Sequence, residues 1–345
     1  MTTTQKFIPS LNGLRAVSIL IVLLSHWDRT AGMPAGLAGA LSSVFYGTIG
    51  VRMFFVISGF IITLLLLREL ESNGTINFRA FYYRRILRIF PPFYAYLIVI
   101  CILKMSGLVY IDTANIVVAF LYLENFRLAP ETNWLVIHSW SLSVEEQFYF
   151  LWPALLFKLR NINFRAKHIA LVMAAGAFMR AVYYKYTIPS KYLLAPFFMH
   201  ADCLFIGCYI GHLYFKRSSL LIGITDRLNT FWLFLGVVLV WAAATMEYHP
   251  KYDVIFIPVS AMVTSCISAL FLLFFVLKPD SLGGKILNSR PFDFLGRLSY
   301  SLYIWQQFFL NPNKHLVDAK AILADQVSSE YRTCSHYLLD FVLSH

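Results

Sequence analysis

The chain has 345 residues, 59% of them hydrophobic and only 14% charged, with a mean hydropathy of +0.64. No water-soluble domain of this length hides so much apolar surface in one core, so the composition predicts an all-α, polytopic transmembrane helical bundle. The net charge of +11 comes from basic residues spread over several short loops between apolar runs, a pattern that membrane topology explains, and no nucleic-acid partner is expected.

Apolar runs able to span a bilayer occur at 11–27, 45–67, 89–108, 145–158, 168–186, 195–215, 230–246, 254–277 and 297–311, about nine spans. The run 116–123 is too brief to cross and reads as a re-entrant or interfacial piece. The first span carries Arg15 near one end and His26 near the other. Eleven residues is close to a whole number of turns, so the two share one face about 16 Å apart. Ionisable groups at such depth are costly and mark function. The alternative is an ordinary inside anchor and an interfacial histidine.

Charge placement orients the bundle. With the N-terminus cytoplasmic, inside segments hold eighteen of the twenty-nine basic residues and outside segments six, as the positive-inside rule requires. A crossing at 116–123 would turn the basic loop at 158–167 outward, so it is rejected as a span. Lys6 and Arg15 precede the first apolar run, but the cleavage-like Ala38-Gly39-Ala40 lies too far beyond it, and the span is expected to be retained. The five cysteines show no metal-ligand spacing; they read as reduced packing residues, and no metal is expected.

On the inner side, the basic, aromatic stretch 78–90 leads into Pro91-Pro92. Helical spacing lets Arg84, Arg85 and Arg88 face one object, and arginine suits bidentate phosphate contact. The alternative is an interfacial helix on anionic membrane lipid. On the outer side, Glu145 and Glu146 enter the fourth span, at the level of His26, Arg52, Arg180, His200, Asp202, Gln306 and Gln307. Arginines inside two spans of the same half imply a shared polar cavity opening outward. The carboxylates' alternative is a wetted helix N-terminus. In the second span, Ser58 is weighed as an acyl nucleophile and set aside as a packing residue beside Gly59.

Together these stretches resemble the acyltransferase-3 family of integral membrane acyltransferases. The resemblance rests on Leu11-Asn12-Gly13-Leu14-Arg15-Ala16 with its Arg-x10-His spacing, the run 54–60, Arg85-x-x-Arg88, Trp140 to Phe148, and Leu298 to Trp305. It implies transfer of an acyl group, usually acetyl, from acyl-CoA (acetyl-CoA) on the cytoplasmic side to a carbohydrate acceptor hydroxyl outside. Within that implication Arg84, Arg85 and Arg88 bind the CoA phosphates, His26 is the general base, and Arg15 holds part of the donor or organises its channel. A bottom-up reading adds Glu145 or Glu146 as the carboxylate that orients the imidazole.

The expected membrane domain covers 1–310, followed by a polar tail, 311–345. The family closes with one further span, whereas the tail holds no apolar run long enough to cross, which suggests a truncated or frame-altered C-terminus. Gln306 stands where many members carry histidine, so it is not a second base. A carrier or flippase for a lipid-linked sugar would also show polar groups at both depths, although no repeat or paired broken helices accompany them. An inactive remnant is the third reading.

Overall fold

The computed structural model describes residues 8–27, 30, 32–126, 128, 133–160, 166–187, 197–247 and 253–310. The expected tail, 311–345, lies outside them. The described residues fold as α1 (Leu11–Trp27), α2 (Ala35–Val44), α3 (Gly47–Asn73), α4 (Phe78–Met105), α5 (Thr113–Phe120), α6 (Trp134–Ile137) and α7 (Ser139–Lys158). They continue through α8 (Ala166–Thr187), α9 (Ala201–Phe215), α10 (Ser219–Arg227), α11 (Thr230–Glu247), α12 (Asp253–Leu277), α13 (Leu282–Leu287) and α14 (Arg290–Phe309). Two short 3-10 turns complete the secondary structure, and the bundle is all-helical.

Each of the nine expected apolar runs coincides with a helix, and 116–123 falls on the eight-residue α5. Among the described residues, four segments are long and apolar enough to cross unaided: Ala35–Asn73, Phe78–Met105, Thr230–Glu247 and Phe256–Leu277. Three shorter apolar helices, including Leu11–Trp27 and Ala201–Phe215, join them. Several helices begin well before the expected spans: α4 starts at Phe78 rather than 89, α7 at Ser139 rather than 145 and α14 at Arg290 rather than 297. Hydropathy marks only the apolar part of a helix, and a polar face buried against neighbours leaves the backbone ladder intact. Ile98, Ile102 and Met105 on α4, and Phe234, Val237 and Val238 on α11, are exposed and form a bilayer-facing surface.

The centre of the bundle is α3, which packs against α1, α7, α9 and α12. Its closest approach is to α9, where Gly59 and Gly207 face the opposite backbone. A Cβ on Gly59 would lie 2.0 Å from the Leu204 carbonyl oxygen, and one on Gly207 would lie 2.1 Å from that of Val56. Only glycine permits this contact, the device by which membrane helices gain van der Waals packing. On its other side α1 packs between α3 and α14. The entry to α1 is tied to the α13–α14 region: Ser10 N–H donates to Asn288 Oδ1 at 2.6 Å, and Asn12 Nδ2 donates to Asp293 Oδ1 at 2.8 Å.

Candidate functional site

The side chains of interest are set by helical spacing on five helices. Gly74, in the left-handed conformation at φ 68°, ends α3, and Asn77 caps α4 by accepting from Ala80 N–H at 3.0 Å. From that start α4 presents Arg85, Arg88 and Ile89 inward, at i, i+3 and i+4. Pro91 and Pro92 follow within the same helix and cannot donate to the carbonyls of Leu87 and Arg88. On α7 the spacing i, i+4, i+8 aligns Ser141, Glu145 and Tyr149, with Glu146 beside them. To these α3 adds Val51, Phe54, Phe55 and Ser58, α14 adds Ser299, Tyr300 and Tyr303, and α1 adds Arg15.

Together they enclose a cavity of about 80 Å³. Three guanidinium groups and two carboxylates share it, and Arg15 lies within electrostatic reach of Arg85, Arg88 and Glu145. The Arg85 guanidinium covers the Tyr149 ring at 4.9 Å, a cation–π contact that fixes the fork's plane. Glu145 Oε1 accepts hydrogen bonds from both Ser58 Oγ and Tyr149 OH, and Tyr149 OH also reaches Ser58 Oγ at 3.2 Å. Arg88 is exposed at the mouth, while Arg85, Arg15, Glu145 and Glu146 are part-buried behind it. The donor set suits a polyphosphate, since arginine forks match phosphate oxygens.

Arg84 is not brought into this cavity. Its side chain is 63% exposed and faces Glu69 at 3.8 Å. The i, i+4 relation to Arg88 puts the two on neighbouring but not identical directions, and only the i, i+3 pair turns inward.

His26 occupies a second polar cluster, about 16 Å further along α1 from Arg15. Its Nδ1 lies 3.2 Å from Gln306 Oε1, and its ring meets Trp134 edge-on with centroids 5.8 Å apart. With the Gln306 amide oxygen facing it, Nδ1 is the donor in this contact. Trp134 is held by its own Nε1–H, which donates to the Gln307 carbonyl at 2.9 Å. Between the clusters, Tyr303 OH bonds Ser141 Oγ at 2.6 Å and donates to the His138 carbonyl at 3.1 Å. Polar groups on α1, α7 and α14 thus form one column, with the arginines at one end and His26 at the other.

This arrangement corrects two expectations. Glu145 and Glu146 do not share the level of His26: they lie one to two turns into α7, in the arginine cavity, and Glu145 holds Ser58 and Tyr149 rather than the imidazole. The Oε1 of Gln306 takes the position at Nδ1 expected of a carboxylate. Arg52 and Arg180 do not open a common outward cavity with these groups. Arg52 forms a bidentate pair with Glu247 at 2.8 and 2.9 Å, and Arg180 one with Asp202 at 2.7 and 3.1 Å. Desolvated arginines inside a bundle need close carboxylates, and these pairs hold α3 to α11 and α8 to α9.

Sequence reasoning undervalued Ser58, named Gln307 and Tyr303 without giving them a role at the site, and missed Tyr149. The signal present in the sequence was spacing: Ser141, Glu145 and Tyr149 repeat every fourth residue, as do Ser299 and Tyr303.

Comparison with known proteins agrees with the chemistry of this column. An acyltransferase domain model, that of the acyltransferase-3 family, matches residues 8–329. The chain is 25% identical over 332 residues to the peptidoglycan O-acetyltransferase OatA of Listeria monocytogenes, covering 88% of this chain and 49% of that protein. It is 27% identical over 338 residues to YrhL of Bacillus subtilis, named as a candidate peptidoglycan O-acetyltransferase, covering 88% and 49%. It is 26% identical over 344 residues to a candidate O-acetyltransferase of Staphylococcus aureus strain COL, covering 87% and 50%. The chain therefore spans about half the length of the curated relatives it matches. No solved structure matches. With the matched model running through every helix that lines the cavity, the chain belongs to the acyltransferase-3 family of membrane acyltransferases.

Proposed function

We propose that this chain takes an acetyl group from acetyl-CoA at a cytoplasmic mouth and delivers it to a carbohydrate hydroxyl at the outer face of the cell membrane. The observation that carries this reading is the set of polar groups on α1, α7 and α14, with three arginines in the cavity at one end and His26, in contact with Gln306, at the other. A carrier reading has no comparable reason to keep a guanidinium cluster and an imidazole on one face of α1.

In this reading Arg85 and Arg88 grip the CoA phosphates at the mouth, and the exposed Arg88 makes the first contact. Arg15 lines the passage for the pantetheine arm, which is of the order of the Arg15–His26 separation in length. Arg84 meets anionic lipid head groups beside the mouth. Glu145, shared by Ser58 and Tyr149, offsets the guanidinium charge and keeps the cavity walls in place. His26 Nε2 takes the proton from the acceptor hydroxyl as its oxygen attacks the thioester carbonyl. When the tetrahedral intermediate collapses, the C–S bond breaks and the imidazolium returns the proton to the CoA thiolate, leaving an ester and free CoA. Gln306 stabilises the imidazolium by accepting from Nδ1–H throughout.

The names of two relatives direct the acceptor toward glycan strands of the peptidoglycan type. The test is incubation of the purified full chain with radiolabelled acetyl-CoA and a panel of oligosaccharides that includes peptidoglycan fragments. A base-labile acetyl ester on a glycan is the expected product. Absence of label from every glycan, with sugar flux measurable in vesicles, would overturn the transferase reading in favour of a carrier.

A further inference from the structure

Two side-chain atoms near the end of α14 are buried and make no hydrogen bond, Gln306 Nε2 and Gln307 Oε1, and the buried His138 imidazole is held by the Ile304 backbone, which leaves one of its two ring nitrogens open. These three residues are exposed by only 3%, 2% and 3%, and a buried polar atom without a partner is the exception in folded proteins. Their positions are linked. The Gln306 amide holds His26 through its oxygen, so its NH2 group lies beside the imidazole. Gln307 follows on α14 one turn beyond Tyr303, whose ring is 5.7 Å from that of His138. His138 itself lies within electrostatic reach of His26. The cluster offers an amide donor, an amide acceptor and one remaining imidazole nitrogen, with no formal charge among them.

We propose that His138, Gln306 and Gln307 form the subsite that holds the acceptor sugar, taking hydroxyl groups that neighbour the one His26 deprotonates. A neutral set of paired donors and acceptors suits a neutral polyol, because each sugar hydroxyl both gives and accepts a hydrogen bond. It does not suit a phosphate, which the arginines at the opposite end of the column recognise. Trp134, edge-on to His26, supplies the flat apolar surface on which a pyranose ring packs. The inference rests on the transferase reading above and goes further by naming the residues that choose the acceptor.

Two near-isosteric variants test it in the full chain, reconstituted in nanodiscs. His138→Phe keeps the ring packed against Tyr96 and Tyr303 and removes both nitrogens. Gln307→Met keeps the side-chain length and removes the amide. The probes are chitotetraose and cellotetraose for the sugar end and acetyl-CoA for the donor end, each titrated by calorimetry, with transfer kinetics alongside. At least a tenfold loss of affinity for the bound oligosaccharide in either variant, with acetyl-CoA affinity held within twofold, is the expected result. Wild-type sugar affinity in both variants, or no sugar binding by the wild type, overturns the subsite. So does a loss confined to acetyl-CoA, which would assign these atoms to the amides of the donor arm. Acetylation of the sugar with an unchanged acceptor KM in both variants would overturn the subsite and leave the transferase reading standing. Thermal unfolding of each variant separates loss of the site from loss of the fold.

Discussion

His26 and Gln306 are joined across the bundle by a 3.2 Å contact between Nδ1 and Oε1, 280 residues apart in the chain. The contact ties the first helix to the last described one at the level of the imidazole and orients its ring. His26→Ala removes the base and is expected to lower kcat by roughly 10²–10⁴-fold, the usual contribution of general base catalysis. Gln306→Ala leaves the base but frees its ring, so a smaller fall in kcat with donor KM unchanged is expected. Steady-state kinetics on inserted, monodisperse protein check both. A wild-type rate in His26→Ala would remove the imidazole from the mechanism.

A second prediction concerns the mouth. Arg85 and Arg88 line the cavity whereas Arg84 faces Glu69 at 3.8 Å, so the three are not equivalent. Replacing Arg85 and Arg88 together with Ala should raise the donor KM at least tenfold and leave the acceptor KM nearly constant. Lysine at both positions should rescue only in part, because the charge is kept and the fork is lost. Arg84→Ala should change neither constant by more than about twofold, as expected of an exposed surface ion pair. Equal effects of Arg84 and Arg85 replacement would count against the cavity as the donor site.

The all-helical class and the apolar runs that coincide with helices were legible from composition and run length, because a crossing segment must be apolar over its length whether it faces lipid or a neighbouring helix. So was the alignment of Arg15 with His26, a matter of residue spacing on α1. The depth of the Glu145-Glu146 pair was not. Its position one to two turns inside α7 depends on where that helix begins, and Ser139 opens it among polar residues that hydropathy reads as loop. Ion-pair partners were equally hidden: Arg52 meets Glu247 and Arg180 meets Asp202 through packing of distant helices, which no local pattern encodes.

The Arg180–Asp202 pair gives a stability prediction. Both side chains are almost fully buried, and Arg180 also donates to the carbonyls of Met199 and Pro258. Removing one partner leaves a charge without compensation, which costs about 3–5 kcal/mol for buried pairs. Asp202→Ala should therefore sharply lower the thermal midpoint in detergent, while Arg297→Ala, which breaks a largely exposed pair with Asp293, should barely move it. Comparable midpoints for the two variants would show that the buried pair adds no net stability.

The trans-bilayer direction of transfer depends on orientation, and the basic residues decide it. With eighteen of them in the segments assigned inside and six in those assigned outside, insertion should leave the α3–α4 turn in the cytoplasm and the α1–α3 connection outside. Ser72 lies at the exposed end of α3, and Ser42 is exposed on α2. In a background with all five cysteines replaced, Ser42→Cys should react with an impermeant thiol reagent in intact cells. Ser72→Cys should react only after permeabilisation. Labelling of both from one side would show that α3 does not cross, and the reverse pattern would put the arginine mouth outside. Either result would separate the mouth from the cytoplasmic pool of acyl-CoA and remove the physical basis for transfer across the membrane, because the cavity that suits the phosphates would then face the wrong compartment.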